Sequence, residues 1–537
     1  MAALPALGFF RPAQAFHEYA VAADHPDASA AGAAVLAGGG NAVDAAIATA
    51  LALGVASPAS SGFGGGGFAT ICTARGECTF VDFRETAPAA ARVDAYRTPE
   101  SSRVGGLAVA VPGEPAGLAW LSQHLGRVGL ARAAAPAVRL ATSGFAASAY
   151  VSTAAGVNRA ALATDPWLAG LFLPGGAPVA AGARMVRPRL GATLARYGRE
   201  GLAFVRGDFA RAAAEAARAR GGVLTEADVR AYEPVVRAPL RVPFRGDEIV
   251  TAPPPSAGGI LVAETLGAYP ATAVEAPGSS GYFHRLAESF RAAFDDRARY
   301  VGDPANPEAV DVARLLDPAR LARRAARFDA EHSAPITVDE PARDRGTTHL
   351  CVVDREGTVV SLTTTVNGPF GASVAIPSMD VLLNDEIDDF SLGSGSSYGL
   401  GASRPNALAP GRRPVSSMSP SVVLRGGRPV GCVGAAGGPR IATATAQVLL
   451  NLLVHHMDPE SAVSAPRVHH QGTPNELQVD ADVADDVREG LRRRGHVPVT
   501  APLPLGVAQA LWIDGTGRDR VILAASDPRK GGRPAGR

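Results

Sequence analysis

Small residues dominate one stretch strongly enough to limit the architectures open to this chain. Residues 28–57 are rich in Ala and Gly and divide at Gly38-Gly39-Gly40 into two segments, Ala28–Gly38 and Asn41–Ala56. Small side chains at helical spacing predict two closely packed helices joined by that glycine break. A second glycine run, Ser60-Ser61-Gly62-Phe63-Gly64-Gly65-Gly66-Gly67, leads into two expected strands, Phe68–Thr73 and Thr79–Phe83. A phosphate-cradling loop has its glycines between a strand and a helix and ends in GK[ST]. This run precedes a strand and has no such lysine, so it reads as a place where backbones approach closely.

From about residue 110 to 335 the pattern is largely helical, with apolar residues three and four apart in 116–125, 132–143, 183–197, 209–220 and 281–297. Pro253 to Gly259 forms a rigid loop within it, and a Pro- and charge-rich connector runs from Glu331 to Gly346. Beyond Gly346 the chain turns β-rich. Thr348–Asp354 and Thr358–Asn367 predict a hairpin around Glu356-Gly357, with further strands at 421–424, 430–434, 507–513 and 520–525. Helices are expected at 441–456 and 483–494, and the basic, Gly/Pro-rich tail Asp527–Arg537 is expected to be disordered.

Composition excludes several function classes. With 52 Lys+Arg against 51 Asp+Glu the formal charge is +1, which speaks against a nucleic-acid binder. No apolar run reaches about 18 residues, so no membrane span is expected. The 47% hydrophobic content supports a sizeable core, and 537 residues suggest three or four domains by length alone. Cys72, Cys78, Cys351 and Cys432 are too few for a disulfide framework and are read as free thiols, although Cys72 and Cys78 flank a turn. Met1–Ala15 ends in a cleavage-like Ala13-Gln14-Ala15, but it lacks a basic start and Pro5 interrupts it, so support for a signal peptide is weak. Lys530 is the one lysine in the chain, a skew we read as coding bias.

Four groups of residues could carry chemistry. Gly346-Thr347-Thr348-His349 stands where the connector meets a strand. A Thr hydroxyl can attack the carbonyl before it, unobstructed by a glycine side chain, and cleavage would free the Thr347 α-amine. Such an amine has a reference pKa of about 7.7–8.0 and can act as base to its own hydroxyl. Asp380, Asp385, Glu386, Asp388 and Asp389 follow a short apolar strand, with no Lys or Arg between Arg355 and Arg404 to neutralise them. Such a run is commonly a solvated face; held at a strand end, it would suit a substrate ammonium. Arg84, in Phe83-Arg84-Glu85-Thr86-Ala87-Pro88, is either a surface ion pair or a fork for a carboxylate. Ser416-Ser417 and Gly437-Gly438 are turn residues that could also hold an anion or an oxyanion.

Taken in order, these motifs resemble the γ-glutamyltransferase (glutathione hydrolase) family of N-terminal nucleophile hydrolases. Gly39 to Ala46, Phe83 to Pro88, Ala110 to Gly113, Pro253 to Gly259 and Arg299 to Pro304 match in the first part of the chain. Thr347 to His349, Leu382 to Asn384, Asp388 to Ser391, Pro414 to Pro420 and Gly437-Gly438 match in the second. The resemblance spans about residues 20 to 530. It implies an α+β fold, a four-layer αββα sandwich built jointly by two autocleavage fragments, 1–346 and 347–537. This replaces the count of three or four domains. It also implies a γ-glutamyl hydrolase or transpeptidase acting on glutathione and related amides, without metal or cofactor. Thr347 would be the nucleophile after a cut at Gly346, and Thr365 would orient it. Gly437 and Gly438 would form the oxyanion hole. Asn367, Glu386 and Asp389 would hold the donor's α-amino group; Arg84, Ser416 and Ser417 its α-carboxylate. Water or an amino acid or dipeptide would accept the acyl group, and the two fragments would remain a heterodimer. Tyr398 falls where relatives carry a lid. Family resemblance points to the periplasm or secretion, and the weak leader to the cytoplasm. A related acylase acting on a glutaryl or oxamate amide is the alternative; a non-catalytic binding protein using Ser60–Gly67 would stay uncut.

Overall fold

The computed structural model describes residues 13–269, 275–309, 311–334, 346–392 and 403–537. Tyr398 and most of the Glu331–Gly346 connector lie outside them. Two seven-stranded antiparallel sheets face each other. The first runs, in spatial order, Gln14–Phe16, Val521–Ser526, Val507–Asp514, Arg428–Ala436, Ser421–Arg425, Asp247–Thr251 and Leu240–Phe244. The second runs Ala535–Gly536, Ala20–Ala23, Gly346–Val353, Val359–Asn367, Gly66–Cys72, Cys78–Phe83 and Val235–Arg237. Strands from before and after Gly346 are mixed in both, so neither segment owns a sheet.

Helices cover both outer faces. Pro26–Ala37 and Ala42–Ala56 lie on the second sheet, backed by Leu130–Ser143 and Pro188–Glu200; Gly258–Gly267 and Arg440–Leu453 lie on the first. The result is the αββα sandwich. The Ala/Gly-rich pair does pack closely: a Cβ on Gly32 would come 2.2 Å from the Thr49 hydroxyl of the second helix. That helix starts where Asn41 and Asp44 cap each other, each side chain accepting the other's amide hydrogen at 3.0 Å. The following glycine run is held against neighbouring main chain. A Cβ at Gly64 or Gly65 would fall 1.9 Å from the carbonyl oxygens of Leu382 and Thr365. Close approach is therefore the role of the run.

Three expectations are corrected. The cysteines are paired, Cys72 with Cys78 and Cys351 with Cys432. Cys72 and Cys78 are direct cross-strand neighbours, while Cys351 and Cys432 stand on facing strands of the two sheets, a proximity that sequence separation conceals. The tail is ordered, since Asp527 is buried against Arg467 and Arg529, and Ala535–Gly536 adds a strand beside Ala20 and Val21. The sequence suggests a solvated end, but Asp527, Arg529 and Lys530 find their partners inside. The helical region also contains a hairpin, Leu240–Phe244 with Asp247–Thr251, turning on Arg245 and Gly246 at φ of 51° and 89°. Pro243 obscured it; the strand is outermost in its sheet, where proline is tolerated.

Candidate active site

Register brings Thr347, Thr365, Asn367 and Arg84 to one end of the second sheet. Thr347 pairs with Thr365, Thr365 with Gly66, and Gly67 with Phe83, so Arg84 emerges at the same end as Thr347. Thr347 is buried, its hydroxyl 3.3 Å from that of Thr365. The Thr365 hydroxyl donates to the Gly346 carbonyl at 2.8 Å and accepts from the Asn367 amide at 2.8 Å. One side chain thus touches both the attacking oxygen and the carbonyl it would attack. The ladder shifts register between Gly346 and Thr347. Asn367 sits at φ 71° and donates to the Asp385 carbonyl at 2.9 Å, which ties the strand end to the acidic segment.

The acidic run is neither solvated nor a single cluster. All five carboxylates are buried, and arginines distant in sequence pair with Asp380, Glu386, Asp388 and Asp389. Asp380 pairs with Arg187 at 2.9 Å, and Asp388 with Ser102 at 2.6 Å and Arg103 at 3.4 Å. Glu386 and Asp389 pair with Arg84, the latter at 2.5 Å. Burial pushes the Glu386 carboxyl well above the usual range against the pull of Arg84, and its Oε2 has no hydrogen-bond partner among the described residues. Arg84 is therefore no surface residue: it joins the expected ammonium site to the expected carboxylate site. Its remaining donors reach the carbonyls of Pro414 at 3.3 Å and Val415 at 3.1 Å, just before Ser416. The Pro253–Gly259 loop supports that segment, with Ala257 N donating to the Ser416 carbonyl at 2.8 Å. Gly437 and Gly438, at φ of 125° and 59°, follow the strand Arg428–Ala436, which crosses the strand of Thr347 on the facing sheet, and lead into the helix Arg440–Leu453.

Three further residues shape the site: Glu85 and Asn384 lie in matched motifs without an assigned role, and Glu114 follows one directly. Glu85 is fully buried beside Arg84, with neither carboxyl oxygen hydrogen-bonded among the described residues, and burial pushes it up to about 7. Asn384 ties the glycine run, the Ala110 segment and the acidic segment together: its side chain bonds Gly64 O at 2.8 Å, Ala110 O at 3.0 Å and the Glu386 amide at 3.0 Å. Glu114 accepts from the hydroxyl of Thr364, beside Thr365, and burial pushes it up to about 8. Such a carboxyl favours folding while protonated, and the contribution, at most about 5 kcal/mol, is lost as pH rises from its ordinary 4.5 to 8. Glu114→Gln should therefore melt several degrees above wild type at pH 9 and level with it near pH 4. Equal melting at both values would refute the assigned protonation.

A family model described as gamma-glutamyltranspeptidase matches residues 28–537. Glutathione hydrolase 2 of Arabidopsis thaliana is 37% identical, over 96% of this chain and 93% of its own. A glutathione hydrolase proenzyme of a Pseudomonas species (strain A14) is 36% identical, over 94% and 91%. Among solved structures, cephalosporin acylase from Bacillus halodurans superposes with a TM-score of 0.88 at 27% identity, covering 100% of this chain and 99% of that one. On the match over residues 28–537 and these identities, the chain belongs to the γ-glutamyltranspeptidase family.

Proposed function

We propose that the chain cuts itself between Gly346 and Thr347 and then acts as a γ-glutamyl hydrolase and transpeptidase on glutathione and related amides. The observation that carries this reading is the Thr365 hydroxyl, which contacts both the Gly346 carbonyl and the Thr347 hydroxyl. In the cut, Thr347 Oγ adds to the Gly346 carbonyl carbon while Thr365 holds the carbonyl oxygen. The C–N bond then breaks, leaving an ester at Thr347 and a free α-amine, and water hydrolyses the ester. In turnover that amine takes the Oγ proton as Oγ attacks the γ-amide of the donor, and the proton passes to the departing amine. Water or the amine of an amino acid or dipeptide then resolves the γ-glutamyl ester.

The donor's zwitterionic head matches the charges at the site. Its carboxylate would take Arg84 with Ser416 and Ser417, and its ammonium Asn367, Glu386 and Asp389. Binding exchanges the internal Arg84–Glu386–Asp389 pairing for the same pairing through the substrate. The Gly437 and Gly438 amides would face the oxyanion. Because both sheets mix strands from either side of the cut, shared core burial would hold 1–346 and 347–537 together as a heterodimer.

Purified protein should run as two fragments, the smaller beginning with Thr347, and should release the chromophore from a γ-glutamyl anilide. Full-length, inert protein would defeat the reading. The likeness to the Bacillus halodurans acylase favours a second reading, an acylase for a glutaryl-type amide. A glutaryl head has no ammonium and would leave Glu386 and Asp389 without their partner. We expect glutaryl anilide to react with kcat/KM lower by at least about 100-fold. The opposite order would favour the acylase.

A further inference from the structure

Lys530, the one lysine in the sequence, ends beside Thr347. Its side chain is 4% exposed, and its ammonium makes three hydrogen bonds, to Asp24 Oδ2 at 2.8 Å, Ser60 Oγ at 3.0 Å and the Thr347 carbonyl at 2.8 Å. Those three use the full donor capacity of an ammonium. The sheet supplies the reason for this placement. The strand Ala20–Ala23 flanks the strand of Thr347 only from Leu350, opposite Ala23, to Val353. Among the described residues, Thr347, Thr348 and His349 thus have a neighbouring strand on one side alone. On the open side Asp24, next after Ala23, holds Lys530, and Lys530 holds Thr347.

We infer that Lys530 is a positioning residue for the nucleophile, a role that rests on the reading of Thr347 above. Before the cut, Thr347 is anchored through Gly346, whose carbonyl is held by Thr365. After the cut that anchor is gone and Thr347 becomes a chain end, the kind of residue that frays unless tied down. A charge-assisted bond to its carbonyl fixes the Cα that carries both the α-amine and the hydroxyl. Misplacing a reacting atom by about 1 Å costs about 100-fold in rate. Binding of the donor head depends on Arg84 and its partners, which Lys530 does not touch, so the effect falls on kcat.

Lys530→Met removes the ammonium at nearly constant length but leaves Asp24 buried without its cation. Burial already raises the pKa of Asp24, against Lys530, so the double variant Lys530→Met/Asp24→Asn removes the stranded charge as well. Both are measured as full-length genes, with cutting followed by mass and folding by circular dichroism. Expected is a fall in kcat for the γ-glutamyl anilide of at least about 30-fold in the double variant, with donor KM within twofold of wild type. A folded, cut double variant with kcat within threefold of wild type would overturn the role. So would a raised KM with unchanged kcat. Wild-type protein that stays uncut and inert would instead bring down the reading of Thr347, and this role with it.

Discussion

Thr347→Ala is expected to persist as a single 537-residue chain and to lose at least about four orders of magnitude in γ-glutamyl hydrolysis. The substitution removes the only atom proposed to attack, both in the cut and in turnover. It should leave the fold intact. The Thr365 hydroxyl keeps its bonds to Gly346 and Asn367, so no buried polar group loses its last partner, and the stability change should be about 1 kcal/mol. Thr347→Ser restores a hydroxyl and should still be cut, more slowly, because serine lacks the methyl that limits its rotamers. Thr365→Ala withdraws the donor from the Gly346 carbonyl and should slow the cut by about 100-fold. Intact-mass time courses of freshly made protein separate these outcomes. Cleavage of Thr347→Ala at the same bond would eliminate the mechanism.

The change to β structure at Gly346-Thr347 was legible because its signal is local: the Pro- and charge-rich connector gives way to β-branched residues within a few positions. The glycine run was legible for the same reason, and carbonyls 1.9 Å from the sites of absent Cβ atoms give its cause. What could not be read was pairing across distance. The acidic run looked unneutralised because its arginines come from positions 84, 103 and 187, well outside any window around residue 385. Arg84 stayed open between a surface ion pair and a carboxylate fork because nothing nearby in sequence says that it is buried against Glu386 and Asp389. The Cys351–Cys432 bond crosses between sheets and was hidden likewise.

Lys530 is the instructive failure. Its rarity reads as coding bias from the sequence, since composition says how often a residue occurs and not where it lies. The tail that carries it combined glycine, proline and arginine, a pattern of disorder, yet Asp24, Asp480 and Asp527 neutralise it in the interior. A charged segment is solvated only if no buried opposite charge awaits it, and that condition belongs to the fold.

Arg84→Ala should raise donor KM by at least about 100-fold, with the smaller part of the effect in kcat. Arg84 contacts Glu386 and Asp389 directly and reaches the carbonyls that lead into Ser416, so in the proposed binding mode its loss would disturb both ends of the donor head. The scissile amide would lie at Thr347, outside these contacts. Two buried carboxylates would also lose their cation, and breaking such a pair costs about 3–5 kcal/mol, which makes misfolding a competing explanation. Arg84→Lys separates the two. It keeps the positive charge, and with it most of the stability, but has no planar fork to hold a carboxylate bidentately. If Arg84 grips the donor, the lysine variant melts near wild type and still shows a KM raised by about tenfold or more. If Arg84 only stabilises the fold, KM and stability recover together. A donor KM unchanged in both folded variants would remove Arg84 from the binding site.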